Sequence, residues 1–311
     1  MPRRRISFRQ LETFAEVARQ GSFTRAAEAL HLTQPAVSIQ IRQIADTIGL
    51  PLFEQRGKEI APTAAGEELL ATVRNLDDAW NRFESAIDAL KGFRRGKVRV
   101  GLVTTAKHFL PRLLGAFWQR YPDIALELEI ANRGTIVDRL LANRDDLYVM
   151  SYPPDRPDVV SLPFLDNEHV VLAPAAHRAV GRRVTLAELA GEPFLLREAG
   201  SGSRHVVDRH LRETGIALNV RLSLASSEAI RELVAAGMGL AVLSRHALGD
   251  IPAGGGLAVL DVAGFPLRNQ WCVVHLRGKV LSLPAQALLD DLLQGAARPA
   301  RPARRPGSKA P

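Results

Sequence analysis

The chain has 311 residues, 46% hydrophobic and 24% charged, a globular composition with room for about two domains. No run approaches the ~18 apolar residues that would cross a bilayer, no apolar stretch follows Met1-Pro2-Arg3-Arg4-Arg5 as in a secretory signal, and the single cysteine, Cys272, forms no intrachain disulfide, so a reducing, cytoplasmic setting is expected. The net charge is +8, but residues 296–311 alone hold five basic and no acidic residues, so basicity by itself argues only weakly for nucleic acid.

In chain order, Leu11, Phe14, Val17 and Ala18 fall at helical spacing, and Gly21 ends that helix. Ser22 or Thr24 caps a second helix carrying Ala26, Ala27 and Leu30. After a turn at His31-Leu32, Thr33 caps a third helix with Pro35 in its first turn, where a missing N–H costs nothing. Val37, Ile41, Ile44 and Ile48 give that helix its buried stripe. Two short helices joined by a tight turn form a helix-turn-helix, and the third helix fits a DNA major groove. The expected contacts to base edges and phosphate are Thr24, Arg25, Thr33, Gln34, Pro35, Ser38, Gln40, Arg42 and Gln43. A plain three-helix bundle with solvated polar faces fits the same periodicity.

The run Phe23-Thr24-Arg25-Ala26-Ala27-Glu28-Ala29-Leu30-His31-Leu32-Thr33-Gln34-Pro35-Ala36-Val37-Ser38 resembles the signature of the LysR-type transcriptional regulators. So do Gln40-Ile41-Arg42-Gln43-Ile44 and Gly49-Leu50-Pro51-Leu52-Phe53-Glu54. The resemblance implies a β-wing over Phe53–Pro62, with Arg56 and Lys58 touching phosphate, and completes a winged helix-turn-helix DNA-binding domain at 1–62. Ile39 and Ala45-Asp46 depart from the commoner residues of that pattern.

From Thr63 to Lys91 there is no proline, and Leu69, Val73, Leu76, Trp80, Phe83, Ile87 and Leu90 alternate steps of four and three. That period of about 3.5 is a coiled-coil seam, so residues 63–92 are expected to be a linker helix that pairs two copies. Packing on its own domain is the alternative. Gly92 and Gly96, flanking Arg94-Arg95, would form a hinge.

Residues 97–294 alternate strand and helix patterns, which predicts an α/β effector-binding domain with mainly parallel pairing. The resemblance implies two such subdomains, like a periplasmic binding protein, with a ligand between them. Ligands of open α/β sheets lie beyond the carboxyl ends of strands, near helix N-termini. That rule selects Thr104, Thr105, Lys107, His108, Asn132, Arg133, Ser151, Ser201, Gly202, Ser203, Arg204, Ser226 and Ser227. Taken singly, a Ser or Thr before a helix is usually just a cap. Lys107, Arg133 and Arg204 favour an anionic effector.

The segments Thr104–Pro111, Asn132-Arg133, Asp145–Met150, Pro163–Asn167 and Phe194–Glu198, with Gly200-Ser201-Gly202 and Arg204, are similar to the CbbR regulators of Calvin-cycle operons. That resemblance implies control of carbon-fixation genes by a sugar phosphate, phosphoenolpyruvate or NADPH. It also implies a homodimer or homotetramer on double-stranded DNA, working with RNA polymerase. A regulator of another operon with a carboxylate effector, or a solute-binding protein, are the alternatives. Residues 295–311 form a basic Pro- and Ala-rich tail expected to be disordered.

No catalysis, metal or cofactor is expected. The eight histidines are scattered, and no HExxH, P-loop, cysteine cluster, G-x-S-x-G elbow or complete dinucleotide fingerprint occurs.

Overall fold

Each N-terminal helix starts on a hydroxyl that the sequence supplies. In the computed structural model, which describes residues 6–56, 59–90, 95–249 and 256–295, Ser7 caps α1 (Phe8–Gln20) with a full capping box through Gln10. Ser22, rather than Thr24, caps α2 (Phe23–Ala29). Thr33 caps α3 (Gln34–Ile48), with Pro35 in the first turn. Gly21 and Gly49 end α1 and α3 at φ of 57° and 85°, the left-handed conformation that glycine takes without strain. The wing follows as β1 (Phe53–Arg56) and β2 (Glu59–Pro62), an antiparallel pair with Phe53 opposite Pro62. Lys58 lies outside the described residues.

These elements close over Phe14, Val17, Ala26, Ala27, Val37, Ile41, Ile44 and Leu52, joined by Leu70 and Val73 of α4 (Ala64–Leu90). Burying each of the larger side chains contributes about 1.5–3 kcal/mol. The start of α4 sits tightly on this core, since a Cβ at Gly66 would come 2.2 Å from the Leu52 carbonyl oxygen. The heptad seam therefore has two fates. Its first positions pack into the N-terminal core, whereas Trp80 and Phe83 are more than half exposed and Leu90 is 84% exposed.

The chain divides into two units between Glu84 and Ser85, inside α4. In the second unit the elements are β3 (Gly96–Val103), α5 (Leu110–Arg120), β4 (Ile124–Ala131), α6 (Arg133–Leu141), β5 (Leu147–Ser151), β6 (Val159–Pro174), β7 (Arg183–Val184) and α7 (Leu186–Leu189). They continue as β8 (Pro193–Arg197), α8 (Gly202–Thr214), β9 (Asn219–Leu224), α9 (Ser227–Ala235), β10 (Leu240–Ser244), β11 (Leu257–Val259), β12 (Asp261–Val262), β13 (Leu267–Leu276) and α10 (Leu283–Gly295). The main sheet runs β4-β3-β5-β13-β6-β10-β8-β9, with β11 on β6.

Pairing is parallel within each lobe, β4-β3-β5 in the first and β10-β8-β9 in the second. The expectation of mainly parallel pairing fails at β6 and β13, which are antiparallel to each other and to β10 and β5. Both strands run from one lobe into the other. Phe164 and Trp271 belong to the first lobe's core with Val100, Leu102 and Phe117, while Val171 and Ala173 belong to the second lobe's with Phe194 and Val242. β6 is 16 residues long, far longer than the His169–Ala173 strand that hydropathy picks out. Its polar middle, Asp166-Asn167-Glu168, reads as a break in the sequence but lies at the crossing between lobes. Among the described residues no helix is long and apolar enough to cross a membrane.

Candidate functional site

Two surfaces carry the candidate chemistry, one in each unit. On α3, Gln34, Pro35 and Arg42 are exposed, and Ser38 is half-buried with its Oγ accepting from Gln34 Nε2 at 2.9 Å. Thr24 and Arg25 on α2 are exposed as well, with the Arg25 guanidinium donating to the Gln20 carbonyl. Thr33 Oγ1 is occupied as the cap of α3. Gln40 and Gln43 turn toward α1 instead. Gln40 Oε1 accepts from the buried Thr13 hydroxyl at 2.8 Å, and Gln43 Oε1 accepts from Gln10 Nε2 at 3.1 Å. The outward face of α3 therefore carries Gln34, Pro35, Ser38, Arg42 and the still exposed Gln43, joined by Ile39, which is 55% exposed.

In the second unit the strand ends converge between the lobes. The 3-10 turn Thr104–His108 opens directly from β3. Thr104 donates to the Ala131 carbonyl at 3.1 Å, which fixes that turn against β4. Thr105 faces across to the second lobe, where Arg197 Nη1 lies 3.4 Å from its hydroxyl and donates to Ser227 Oγ at 2.9 Å. The remaining Arg197 nitrogens grip Glu198 at 2.8 and 3.0 Å. Arg197 is 1% exposed, so this is a charge buried together with its partner.

Lys107 reaches Glu228 at 2.9 Å, and His108 Nε2 lies 3.8 Å from the same carboxylate, too far for a hydrogen bond. Burial alone would raise the Glu228 pKa, but the bonds from Lys107, the α9 backbone and Ser226 outweigh it and hold the group at about 2. Burial lowers the His108 pKa, against the pull of Glu228.

Ser201 and Ser226 are caps, accepting from Arg204 N and Ala229 N at 3.1 Å each, and Asn132 caps α6. Those three side chains are thus engaged as helix caps, and their helices all begin at the cleft. The first turn of α8 is close to the end of β5, since a Cβ at Gly202 would come 3.2 Å from Ser151 Oγ. Ser203 Oγ lies 3.3 Å from His169 Nε2. Arg204 pairs with Asp208 at 2.7 Å and lies 3.3 Å from the Arg197 carbonyl.

Arg133 differs from the other cations. Two of its nitrogens donate to the neutral carbonyl of Tyr152, at 3.0 and 2.6 Å, and burial lowers its pKa. Tyr152, at φ 53°, packs its ring 5.2 Å from that of His205 on α8. The His205 pKa is lowered first by burial and then by the charge of Arg133. An under-compensated cation thus faces the N-terminal half of α8, an arrangement suited to an anion.

Sequence reasoning missed Arg197, Glu198 and Glu228. The signal was a charged pair closing the apolar run Pro193–Leu196. Among the described residues no cluster of His, Cys, Asp and Glu could hold a metal.

The comparisons with known proteins span both units. The pattern described as "Bacterial regulatory helix-turn-helix protein, lysR family" matches residues 8–67, and the one described as "LysR substrate binding domain" matches residues 91–297. The chain is 43% identical over 284 residues to the HTH-type transcriptional activator CmpR of Synechocystis sp., covering 91% of this chain and 93% of that one. It is 42% identical over 294 residues to the RuBisCO operon transcriptional regulator of Allochromatium vinosum, covering 94% and 97%. The solved regulatory domain of Synechocystis CcmR in complex with 2-PG (2-phosphoglycolate) matches 64% of this chain and 97% of that domain, at a TM-score of 0.62 and 41% identity.

Proposed function

Since this chain belongs to the lysR family of bacterial regulatory helix-turn-helix proteins, we propose that it controls carbon-fixation genes and that a phosphorylated metabolite in its cleft sets how it holds the operator. It is a DNA-binding transcription regulator that binds a small-molecule effector. The observation that carries the effector reading is Arg133, a half-buried guanidinium whose hydrogen bonds among the described residues go to a neutral carbonyl, set against the helix that Ser201 caps and Gly202-Ser203 open. A phosphate is recognised by such a fork and by helix N–H groups together. The 2-PG complex of the CcmR domain and the relative named for the RuBisCO operon support the same class of ligand and target.

In this reading Gln34, Ser38 and Arg42 meet base edges, and Thr24, Arg25 and Arg56 meet phosphate, which positions without specifying. Trp80, Phe83 and Leu90, exposed on α4, pair two copies, and two such pairs form a tetramer in the cytoplasm that contacts RNA polymerase. Effector alters operator geometry only to the extent that it binds one arrangement better than another.

The test is an anisotropy titration of a labelled carbon-fixation promoter fragment with and without 2-phosphoglycolate, phosphoenolpyruvate and NADPH. At least one phosphorylated compound should change operator affinity at fixed salt. A protein whose operator binding responds to none of them, but does respond to a simple carboxylate, would contradict the reading.

A further inference from the structure

Ile39 is a large apolar side chain held in water by a well-formed helix. Among the described residues of the first unit, the exposed large hydrophobics are Phe8, Ile39, Leu50, Leu76, Trp80 and Phe83. Leu76, Trp80 and Phe83 belong to the seam of α4, and the Phe8 ring lies 6.4 Å from that of Trp80. Leu50 follows the Gly49 stop, beyond the end of α3. Ile39 stands apart from all of these, in the middle of α3.

An α-helix turns about 100° per residue, so Ile39 lies ~170° from the mean direction of the buried stripe Val37, Ile41 and Ile44. It therefore points almost directly away from the core. Pro35, one turn earlier, is exposed too, and a spacing of four sets the two apolar residues side by side. Folding gains little from this placement. A β-branched residue is a slightly poorer helix former than Gln or Arg, and more than half of its surface stays in water. A single exposed apolar residue is ordinary on most surfaces. What distinguishes Ile39 is that it continues the face carrying Gln34, Ser38 and Arg42.

Those three neighbours supply polar chemistry only. Gln34 and Ser38 bond each other at 2.9 Å, which fixes a donor-acceptor pair on the first two turns, and Arg42 adds a cation. The base edges of a major groove present donors, acceptors and one apolar group, the C5 methyl of thymine. An aliphatic side chain on a groove-facing surface has that methyl as its match.

We infer that Ile39 is a specificity residue that reads a thymine in each operator half-site through the C5 methyl. The inference rests on the α3 reading face proposed above and deepens it. Hydrogen bonds alone read the O4 acceptor of thymine, which uracil also carries, so methyl recognition requires an apolar side chain at this face. Ile39 departs from the commoner residue of the LysR pattern, so the preference belongs to this chain rather than to the fold.

The test selects binding sites for the full-length protein from a random-sequence duplex library, so no operator is assumed. The most enriched duplex is then remade with deoxyuridine in place of one thymine at a time, which removes the methyl and keeps the base pair. Wild type should lose about 4-fold in affinity at one thymine position per half-site, the worth of about one buried methyl group. Ile39→Ala should bind the thymine and deoxyuridine duplexes equally and keep its preferences at the other positions. Ile39→Val, which retains a branched side chain, should keep part of the difference. Both variants should unfold near the wild-type midpoint, since the side chain lies outside the core. A wild type with no sensitive thymine, or a deoxyuridine cost that persists undiminished in Ile39→Ala, would overturn the inference and leave the reading face standing. Loss of preference at every position in Ile39→Ala would overturn it as well. If wild type enriches no sequence, the reading face falls and takes the role of Ile39 with it.

Discussion

The two units store their function differently. The reading surface of the first is one exposed face of one helix, so its residues sit within ten positions, from Gln34 to Gln43. The cleft of the second is assembled from Thr105, Arg133, Ser151, His169, Arg197, Ser203 and Ser227, gathered from strand ends and crossings more than 120 residues apart. A local surface tolerates replacement of its outward residues, because little else depends on them. An assembled cleft does not, because its residues are brought together from distant elements and several, such as Arg197 and Ser227, are held by one another. Substitutions should therefore separate the two units by what they damage.

The largest effect expected is in the first unit's interior. Phe14→Ala should cost about 4 kcal/mol, the usual price of emptying a fully buried phenyl site. Thermal unfolding should show this loss with effector binding retained. A loss of effector binding at temperatures where the second unit remains folded would break the separation.

Arg197→Met probes the cleft in the same way. It leaves Glu198 partly buried without its two-pronged partner, a loss of about 3 kcal/mol for a broken buried pair. Denaturant unfolding should register it, and operator binding at low temperature should persist. A neutral outcome would mean that Glu198 relaxes into solvent.

Acid should act on the second unit through His169. Its pKa is about 4 in the fold against an ordinary 6.5. Between those values the unfolded chain binds a proton that the folded chain refuses. Stability from this group is thus intact above pH ~6.5 and falls as pH drops toward 4, by at most about 3 kcal/mol. His169→Gln should flatten that slope in chemical denaturation across the window, and an unchanged slope would remove His169 as its source.

On the reading face, Gln34→Ala with Ser38→Ala should leave folding within about 0.5 kcal/mol. The same double change should lower operator preference over scrambled DNA by about 10- to 100-fold. Competition binding at fixed salt measures this, and a preserved preference would move base readout to other residues. Smallest is Ser201→Ala, which removes the α8 cap at a cost of about 1 kcal/mol, read as a shift of the unfolding midpoint.

The same contrast explains what could be read from the chain. Caps, glycine stops and the stripe Val37-Ile41-Ile44 are local, and the helices formed where those residues placed them. The seam of α4 was legible as a pattern, but its division into a packed start and an exposed remainder depends on what lies beside it, which spacing does not encode. In the cleft, rules about strand ends and helix starts picked out Thr105 and Ser227, which the structure joins through Arg197, and Ser203, which it sets beside His169. The same rules missed Arg197 because it closes a strand rather than opening a helix. They missed Asn167 and His169 because polar residues inside a strand look like its end until the strand is seen to cross between two cores. Gln40 shows what spacing alone does not give, since its side chain also accepts from the buried Thr13 hydroxyl of its own domain.

The central claim is that the cleft and the reading face are thermodynamically coupled in one regulator. Linkage requires that operator DNA change effector affinity by the same factor as effector changes operator affinity. Titrating the responsive phosphorylated metabolite into the full-length protein, with and without saturating operator fragment, measures that factor directly. The account predicts a shift equal to the one seen in operator titrations. An effector affinity indifferent to operator, alongside an operator affinity that responds to effector, would contradict it.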